Sequence, residues 1–347
     1  MPSGKKEDAM ARLNMRELGR RLGVDRSTVS RALNDEKAHL VAAATRERIR
    51  EEAARMGYRP DLTASALRLG RSRTVGILVS DLANTTFIEI IREIMARLGE
   101  GQGSGAAITP LIAETLDRPE ATKLLLRTFL SRRVDAIISL ASTELDVEAL
   151  QEAAAEVPVV LAVRSIAGAS FPSALCDDDA GGAMAAAHLA ARGHRIVCQV
   201  RGPQTAATFK NRARGFSRVC AEQGLTEVGI AVEARSATTS EGKRALEAIL
   251  KEPVRPTAAF AHNDALAIGL IEAMRQNGLD YPKDLAVIGF NDTEMSRVLA
   301  TPLTTVAYPI VDVGRHAGTL VKTLIEDRTA RWATGVFMPT LVARGST

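Results

Sequence analysis

The sequence predicts an α/β core of two doubly wound lobes with a small all-α head in front of it, and three observations predict it. From Thr74 onward, short apolar runs alternate with amphipathic helical stretches, the pattern of parallel strands covered by helices on both faces. The 274 residues after Arg73 are too many for one such sheet, so two lobes with a cleft between them is the economical arrangement. Before Thr74 the chain shows helical spacing and caps but no strand-like run.

In the head, residues 1–13 are polar and read as a disordered tail. Asn14 is a good N-cap, with Glu17 three residues on as in a capping box. Met15, Leu18 and Leu22 share one helical face, and Gly23 supplies the turn after it. Asp25 can cap a second helix whose Val29 and Leu33 point inward at i and i+4. A third helix runs from Thr45 to Tyr58, with Ile49, Ala53 and Met56 inward and Gly57 near its end. Three helices of this size form a helix-turn-helix headpiece over residues 14–60. In residues 61–73, Asp61 can cap a short helix from Leu62 to Leu69. Such a helix is too short to stand alone in water and needs a partner helix or DNA; the alternative is a plain linker.

The core, 74–347, offers strands at Thr74–Ser80, Val134–Leu140, Pro158–Val163, Ile196–Val200, Ala258–Phe260 and Leu285–Phe290. Helical stretches at 86–98, 119–132, 181–192, 242–251 and 264–277 separate them.

The net charge of +4 is unevenly placed: residues 1–73 hold 17 Lys+Arg against 10 Asp+Glu, the rest 28 against 31. A basic head on a mildly acidic body is expected where one end meets a polyanion, and its binding should then weaken with salt. The second helix leaves Arg26, Ser27, Thr28, Ser30 and Arg31 facing outward. Arginine can fork onto a guanine edge, and small hydroxyls suit phosphate or base contacts. The bland alternative is a helical hairpin with a solvated basic face.

No run of 18 apolar residues exists, so no transmembrane helix is expected, and the N-terminus lacks an apolar signal core, which points to a cytoplasmic protein. Cys176, Cys198 and Cys220 are too far apart for a metal pattern or a disulfide framework and read as buried thiols. His39, His188, His194, His262 and His316 form no triad or metal spacing, so no enzyme, cofactor or metal is expected. The Asp177-Asp-Asp179 run reads as a helix cap. The Gly99–Gly105 run follows a helix and precedes a strand, the wrong order for a phosphate loop, and lacks the lysine, so it reads as a turn.

The motifs Gly23-Val-Asp-Arg-Ser-Thr-Val-Ser-Arg-Ala-Leu-Asn34, Gly57-Tyr-Arg-Pro60, Arg212-Ala-Arg-Gly-Phe216, Asn263-Asp-Ala-Leu-Ala-Ile-Gly269 and Ile288-Gly-Phe-Asn-Asp292, in this order, resemble the LacI/GalR family of bacterial transcription regulators over nearly the whole chain. The resemblance implies a homodimeric repressor with a core similar to periplasmic sugar-binding proteins. Its headpiece would read double-stranded operator DNA, and its cleft would hold a small effector such as a sugar or sugar acid. By position it implies Arg26, Ser27 and Arg31 as base readers, Thr28, Ser30 and Asn34 as contacts near bases and backbone, and Leu67 as a minor-groove wedge. It implies Arg212, Asn263, Asn291 and Phe87 in the effector pocket. Ser80, Asp81 and Arg164 fall at strand ends, where α/β ligands generally bind. Asn263 could instead simply cap the helix after it, and Arg212 could sit in an ion pair.

Two departures stand out. Ala42 replaces the serine that usually caps the third helix, and Asn291 stands where an aspartate is common, which suggests tolerance for an anionic effector. No a/d heptad tail follows the core, so a dimer is expected and not a tethered tetramer. The rival readings are a solute-binding protein for sugar uptake, which needs export and has no use for a basic head, and an α/β enzyme.

Overall fold

The computed structural model describes residues 15–33, 38–58, 71–100, 108–228 and 232–347. The expectations for the 1–13 tail, the Asn14 cap, Asn34, the helix at 62–69 with Leu67, and most of the Gly99–Gly105 run lie outside the described residues. The chain divides into two compact units, one running to Arg73 and taking in Gly99–Thr109, the other made of the rest. The Thr109 N–H donates to the Arg73 carbonyl at 2.8 Å.

The first unit contains α1 (Met15–Leu22), α2 (Arg26–Ala32), a 3-10 turn (Ala38–Leu40) and α3 (Ala43–Arg55). Leu18, Val29, Ala32, Ile49 and Ala53 are buried at its centre, with Met15, Leu22, Leu33 and Met56 packed around them. The α1–α2 turn is set by Gly23 at φ +64°: its N–H bonds the Arg20 carbonyl, and the Val24 N–H bonds the Gly19 carbonyl, the paired bonds of a Schellman cap. A Cβ on Gly19 would stand 2.7 Å from the Val24 carbonyl oxygen, so the turn closes only over glycine. Arg48 and Arg50 on α3 donate to the Leu22 and Ala32 carbonyls, satisfying ends of α1 and α2. Asp25 occupies the α2 N-cap, but against expectation its side chain makes no capping bond. With φ −65° and ψ 149° it offers only its carbonyl, which accepts from Thr28 N–H at 2.9 Å.

The second unit has two parallel sheets. In the first lobe the elements are β1 (Thr74–Val79), α4 (Thr85–Gly99), β2 (Thr109–Glu114), α5 (Pro119–Ser131), β3 (Ala136–Ser139), α6 (Val147–Glu156), β4 (Val159–Ala162) and β5 (Ser173–Cys176). In the second they are α7 (Asp178–Ala191), β6 (Ile196–Arg201), α8 (Ala207–Gln223), β7 (Thr226–Glu227), β8 (Val232–Glu233), α9 (Thr239–Lys251), β9 (Ala258–Ala261), α10 (Asp264–Gln276), β10 (Ala286–Asn291), α11 (Glu294–Arg297) and β11 (Thr304–Ala307). The chain then returns to the first lobe with α12 (Ile310–Glu326) and β12 (Gly335–Phe337), and ends in the second with β13 (Thr340–Val342). The sheet orders are β12-β5-β4-β3-β1-β2 and β13-β11-β10-β9-β6-β7, with β8 beside β6. β13 runs antiparallel to β11.

The chain therefore crosses between lobes three times, after Cys176, at Tyr308–Pro309 and at Met338–Pro339. Pro309, at φ −77° and ψ 64°, with Ile310 N–H bonded to the Tyr308 carbonyl, makes an inverse γ-turn at the second crossing. Each sheet's strands are sheathed in apolar packing, Leu78, Ile137, Leu161 and Phe129 in one lobe, Val200, Leu266, Leu270 and Val287 in the other. The three cysteines are buried, and burial pushes the Cys198 and Cys220 thiols up to about 12. Asp177 caps α7 by accepting from Ala180 N–H, as the acidic run suggested, while Asp179 pairs with Arg214 and Arg218. Among the described residues no helix is long and apolar enough to cross a membrane.

Candidate functional site

Two sets of side chains are candidates. On α2, Arg26, Ser27 and Arg31 are exposed. Thr28 and Ser30 are half-buried, a correction to their outward reading. A seven-residue helix packed on both α1 and α3 has only a narrow solvent stripe, and that stripe carries the two arginines and Ser27.

The second set meets in a cavity of about 370 Å³ between the lobes of the core, which Ser80, Asp81, Phe87, Arg164, Arg212, Asn263 and Asn291 all line. Parallel topology explains the convergence, because side chains just past the carboxyl ends of the strands face this crevice. Ser80 and Asp81 follow β1, Arg164 follows β4, Asn263 follows β9 and Asn291 ends β10.

Their chemistry differs. Arg164 is buried and bidentate to Asp117, at 2.6 and 3.2 Å, with further bonds to Ser80 Oγ and the Ala141 carbonyl. Its charge is spent within the first lobe. Asn263 caps α10 through Leu266 N–H at 2.8 Å and donates to the Ala237 carbonyl, so both ends of its amide are committed. Arg212 pairs with buried Asp178 at 2.8 Å, donates through Nη1 to the His262 carbonyl, and lies 3.6 Å above the Phe290 ring. Its Nη2 has no partner among the described residues. Burial outweighs Arg212 and raises the Asp178 carboxyl to about 6. Beneath Arg212, burial first and then the Arg212 and Arg201 charges hold His262 neutral. Gln199 gives its amide hydrogens to Ser217 and Glu227, so its oxygen faces His262 Nε2, which carries the proton.

Several lining residues escaped the sequence reading. Thr86 lines the cavity with a buried hydroxyl that has no hydrogen-bond partner, and Tyr308 with one set beside the Cys176 backbone. Asn291, expected from the sequence, is 7% exposed as a residue and makes no side-chain hydrogen bond among the described residues. Arg235 and Phe209 complete the second lobe's wall. The adjacency of Thr86 to Phe87, and of Tyr308 to a strand end, was the available signal; nothing local marks Arg235.

Backbone strain gathers here. Of seven non-glycine residues at positive φ among the described residues, Leu116, Asp117, Val163 and Asn291 line the cavity and Asp292 adjoins it. Val163, at φ 71°, is the centre of a γ-turn closed by Arg164 N–H on the Ala162 carbonyl at 2.8 Å, a costly conformation for a β-branched residue. The turn aims Arg164 at Asp117. Asp292 is held by Arg297 and Arg344, which fixes the bend that swings Asn291 into the cavity.

Residues 14–61 match the family described as "Bacterial regulatory proteins, lacI family", and residues 186–347 match "Periplasmic binding protein-like domain". Catabolite control protein A of Priestia megaterium is 29% identical over 316 residues, 90% of this chain and 92% of that protein. The HTH-type transcriptional repressor PurR of Aliivibrio fischeri is 29% identical over 336 residues, 96% and 97% of the two chains. The fold is that of the Lac repressor dimer bound to operator and the anti-inducer ONPF, with TM-score 0.85, 24% identity, and coverage of 97% of this chain and 99% of that one. The chain thus joins a lacI-family regulatory domain to a periplasmic-binding-protein-like domain, and named transcriptional regulators align with it along nearly their full length.

Proposed function

We propose that this chain is a ligand-responsive transcriptional repressor that acts by binding, not catalysis. It binds a pseudopalindromic operator as a homodimer in the cytoplasm, and a small metabolite in the interlobe cleft switches it. The headpiece, 14–60, reads the operator with Arg26, Ser27 and Arg31 in the major groove. Thr28, Ser30 and Asn34 contact the neighbouring bases and backbone. The 61–73 segment joins it to the core and wedges Leu67 into the minor groove. Ser80, Asp81, Phe87, Arg164, Arg212, Asn263 and Asn291 hold the metabolite.

One observation carries this reading: seven residues drawn from distant parts of the core face a single interlobe cavity, with the buried Thr86 hydroxyl there left unpartnered. A buried unpaired polar group costs ~1–3 kcal/mol, so the cleft is built to be filled. Support for the output end comes from the exposed arginines of α2 and from relatives named as transcriptional repressors. A ligand that favours one lobe arrangement by ~1–3 kcal/mol would change operator affinity about 5- to 150-fold.

The test is selection of binding sites from random duplex DNA by the full chain, then anisotropy titrations of the selected site with and without metabolites. The expected result is a two-fold-symmetric site whose affinity falls with salt and shifts with a cleft ligand. Binding with no sequence preference overturns the proposal.

A further inference from the structure

The two walls of the cleft differ in what they leave unused. On the second lobe, Arg212 keeps Nη2 free after bonding Asp178 and the His262 carbonyl. Arg235 spends its backbone N–H on Glu241, whose carboxylate also feels the guanidinium's charge, and the exposed guanidinium makes no side-chain hydrogen bond among the described residues. Asn291, more than nine-tenths buried as a residue, adds an amide that makes no side-chain hydrogen bond among the described residues. On the first lobe, Asp117 is neutralised by Arg164, which leaves Asp81 as the uncommitted carboxylate of the wall. Its Oδ1 accepts from Ala83 N–H, and its Oδ2 has no partner among the described residues.

The cleft is therefore polarised: spare cationic and amide donors on one side, a spare acceptor and the Thr86 hydroxyl on the other. A neutral occupant would cover the Arg235 guanidinium and the spare Arg212 Nη2 donor without bringing a charge of its own to them. An anion gains charge-assisted bonds from them, roughly twice as strong as neutral ones. At about 370 Å³ the cavity is near the low end for ligand pockets, which suits one sugar-sized molecule.

We propose that the cleft takes a small hydroxylated acid, its anionic group on Arg212, Arg235 and Asn291 and a hydroxyl donating to Asp81. The inference rests on the cleft being the effector site, as proposed above. The anion could be a carboxylate or a phosphate monoester.

The experiment uses the full chain and matched pairs: D-gluconate against D-glucitol, D-glucuronate against D-glucose, and D-glucose 6-phosphate against D-glucose. Adenosine and hypoxanthine run beside them. Thermal shift ranks the compounds and calorimetry gives the affinities. An acid should bind at least about tenfold tighter than its neutral partner, which is ~1.4 kcal/mol. The gluconate and phosphate arms tell the two anions apart. Arg235→Ala, an exposed position that keeps its backbone bond to Glu241, and Asn291→Asp should each remove that advantage. An advantage that survives both variants, or no binding by any of the acids, overturns the proposal. Tighter binding of a neutral sugar, nucleoside or base also overturns it, yet leaves the cleft standing as the effector site. A ligand that binds without altering affinity for the selected DNA site counts against the switch itself, not against the acid.

Discussion

The headpiece and the cleft do opposite things with arginine. On α2, Arg26 and Arg31 stand in solvent, close together in sequence, on a helix whose other side is core. In the cleft, Arg164 and Arg212 are buried, each fixed by a carboxylate, and Arg212 also by an aromatic face. An exposed arginine is free to adapt to a base edge or a phosphate, and its loss costs only the contact it makes. A buried, paired arginine is part of the fold before it is part of any site, so its loss leaves an uncompensated charge.

The largest expected effect follows from that contrast. Arg212→Ala strands Asp178, buried beside it, and should lower the stability of the core by ~3–5 kcal/mol. Arg31→Ala should leave thermal unfolding within ~0.5 kcal/mol, as for other surface changes. It should weaken the selected DNA site by ~1–3 kcal/mol, relaxing preference at one base position. Calorimetric melts and anisotropy titrations on both variants check this. Arg212→Ala unfolding like the parent, or Arg31→Ala melting early, would break the comparison.

The same contrast explains what was legible. Strands such as β1 and β10 and helices such as α5 and α10 fall within a few residues of their sequence-derived bounds, because buried parallel strands are unbroken apolar runs. The α2 face was legible because its function is local: one helix, one stripe. The cleft was only partly so. Arg212, Asn263 and Asn291 were singled out through resemblance, and the groups that hold them, Asp178, Ala237 and, through the bend at Asp292, Arg344, come from far along the chain. Arg235 and Tyr308 become site residues only when the sheets set their neighbours, and edge strands such as β12 and β13 are too short to leave a pattern. Asp25 shows the converse: the residue type was right for a cap, yet the side chain points elsewhere.

A smaller effect separates the two regions by pH. In the core, burial raises Asp264 to about 6, despite bonds from Thr305 and Thr293. A carboxyl raised in the folded state contributes stability that is whole below its unfolded value near 4 and is lost as pH rises through about 6, by up to ~3 kcal/mol. In the headpiece, bonds from Arg20 and Arg21 lower Glu17, and a bond from Arg55 lowers Glu52. Their contribution has the other sign: present above the unfolded value, lost as pH falls through the lowered one. Melts between pH 4.5 and 7 should show Asp264→Asn gaining on the parent as pH rises. A constant difference across that window would refute the assignment.

The smallest effect should be confined to the headpiece. Ala42 sits at the N-cap of α3 with φ −53° and ψ 137°, extended geometry suited to a capping side chain, but it has none to offer. The helix already starts there, since the Ala42 carbonyl accepts from Arg46 N–H at 2.9 Å. The position is exposed, so a serine hydroxyl meets no crowding and can accept from the N–H of Thr45, three residues on. Ala42→Ser should therefore stabilise the headpiece by ~0.5–2 kcal/mol. Effector affinity and the melting of the core should not change, because the added hydrogen bond is local to the first turn of α3. Amide exchange along α3 measures the gain directly, slowing first at the N-terminal turn. Slower exchange in α10 as well would mean that the two units unfold together, and the separation drawn between exposed and buried arginines would then describe one cooperative body.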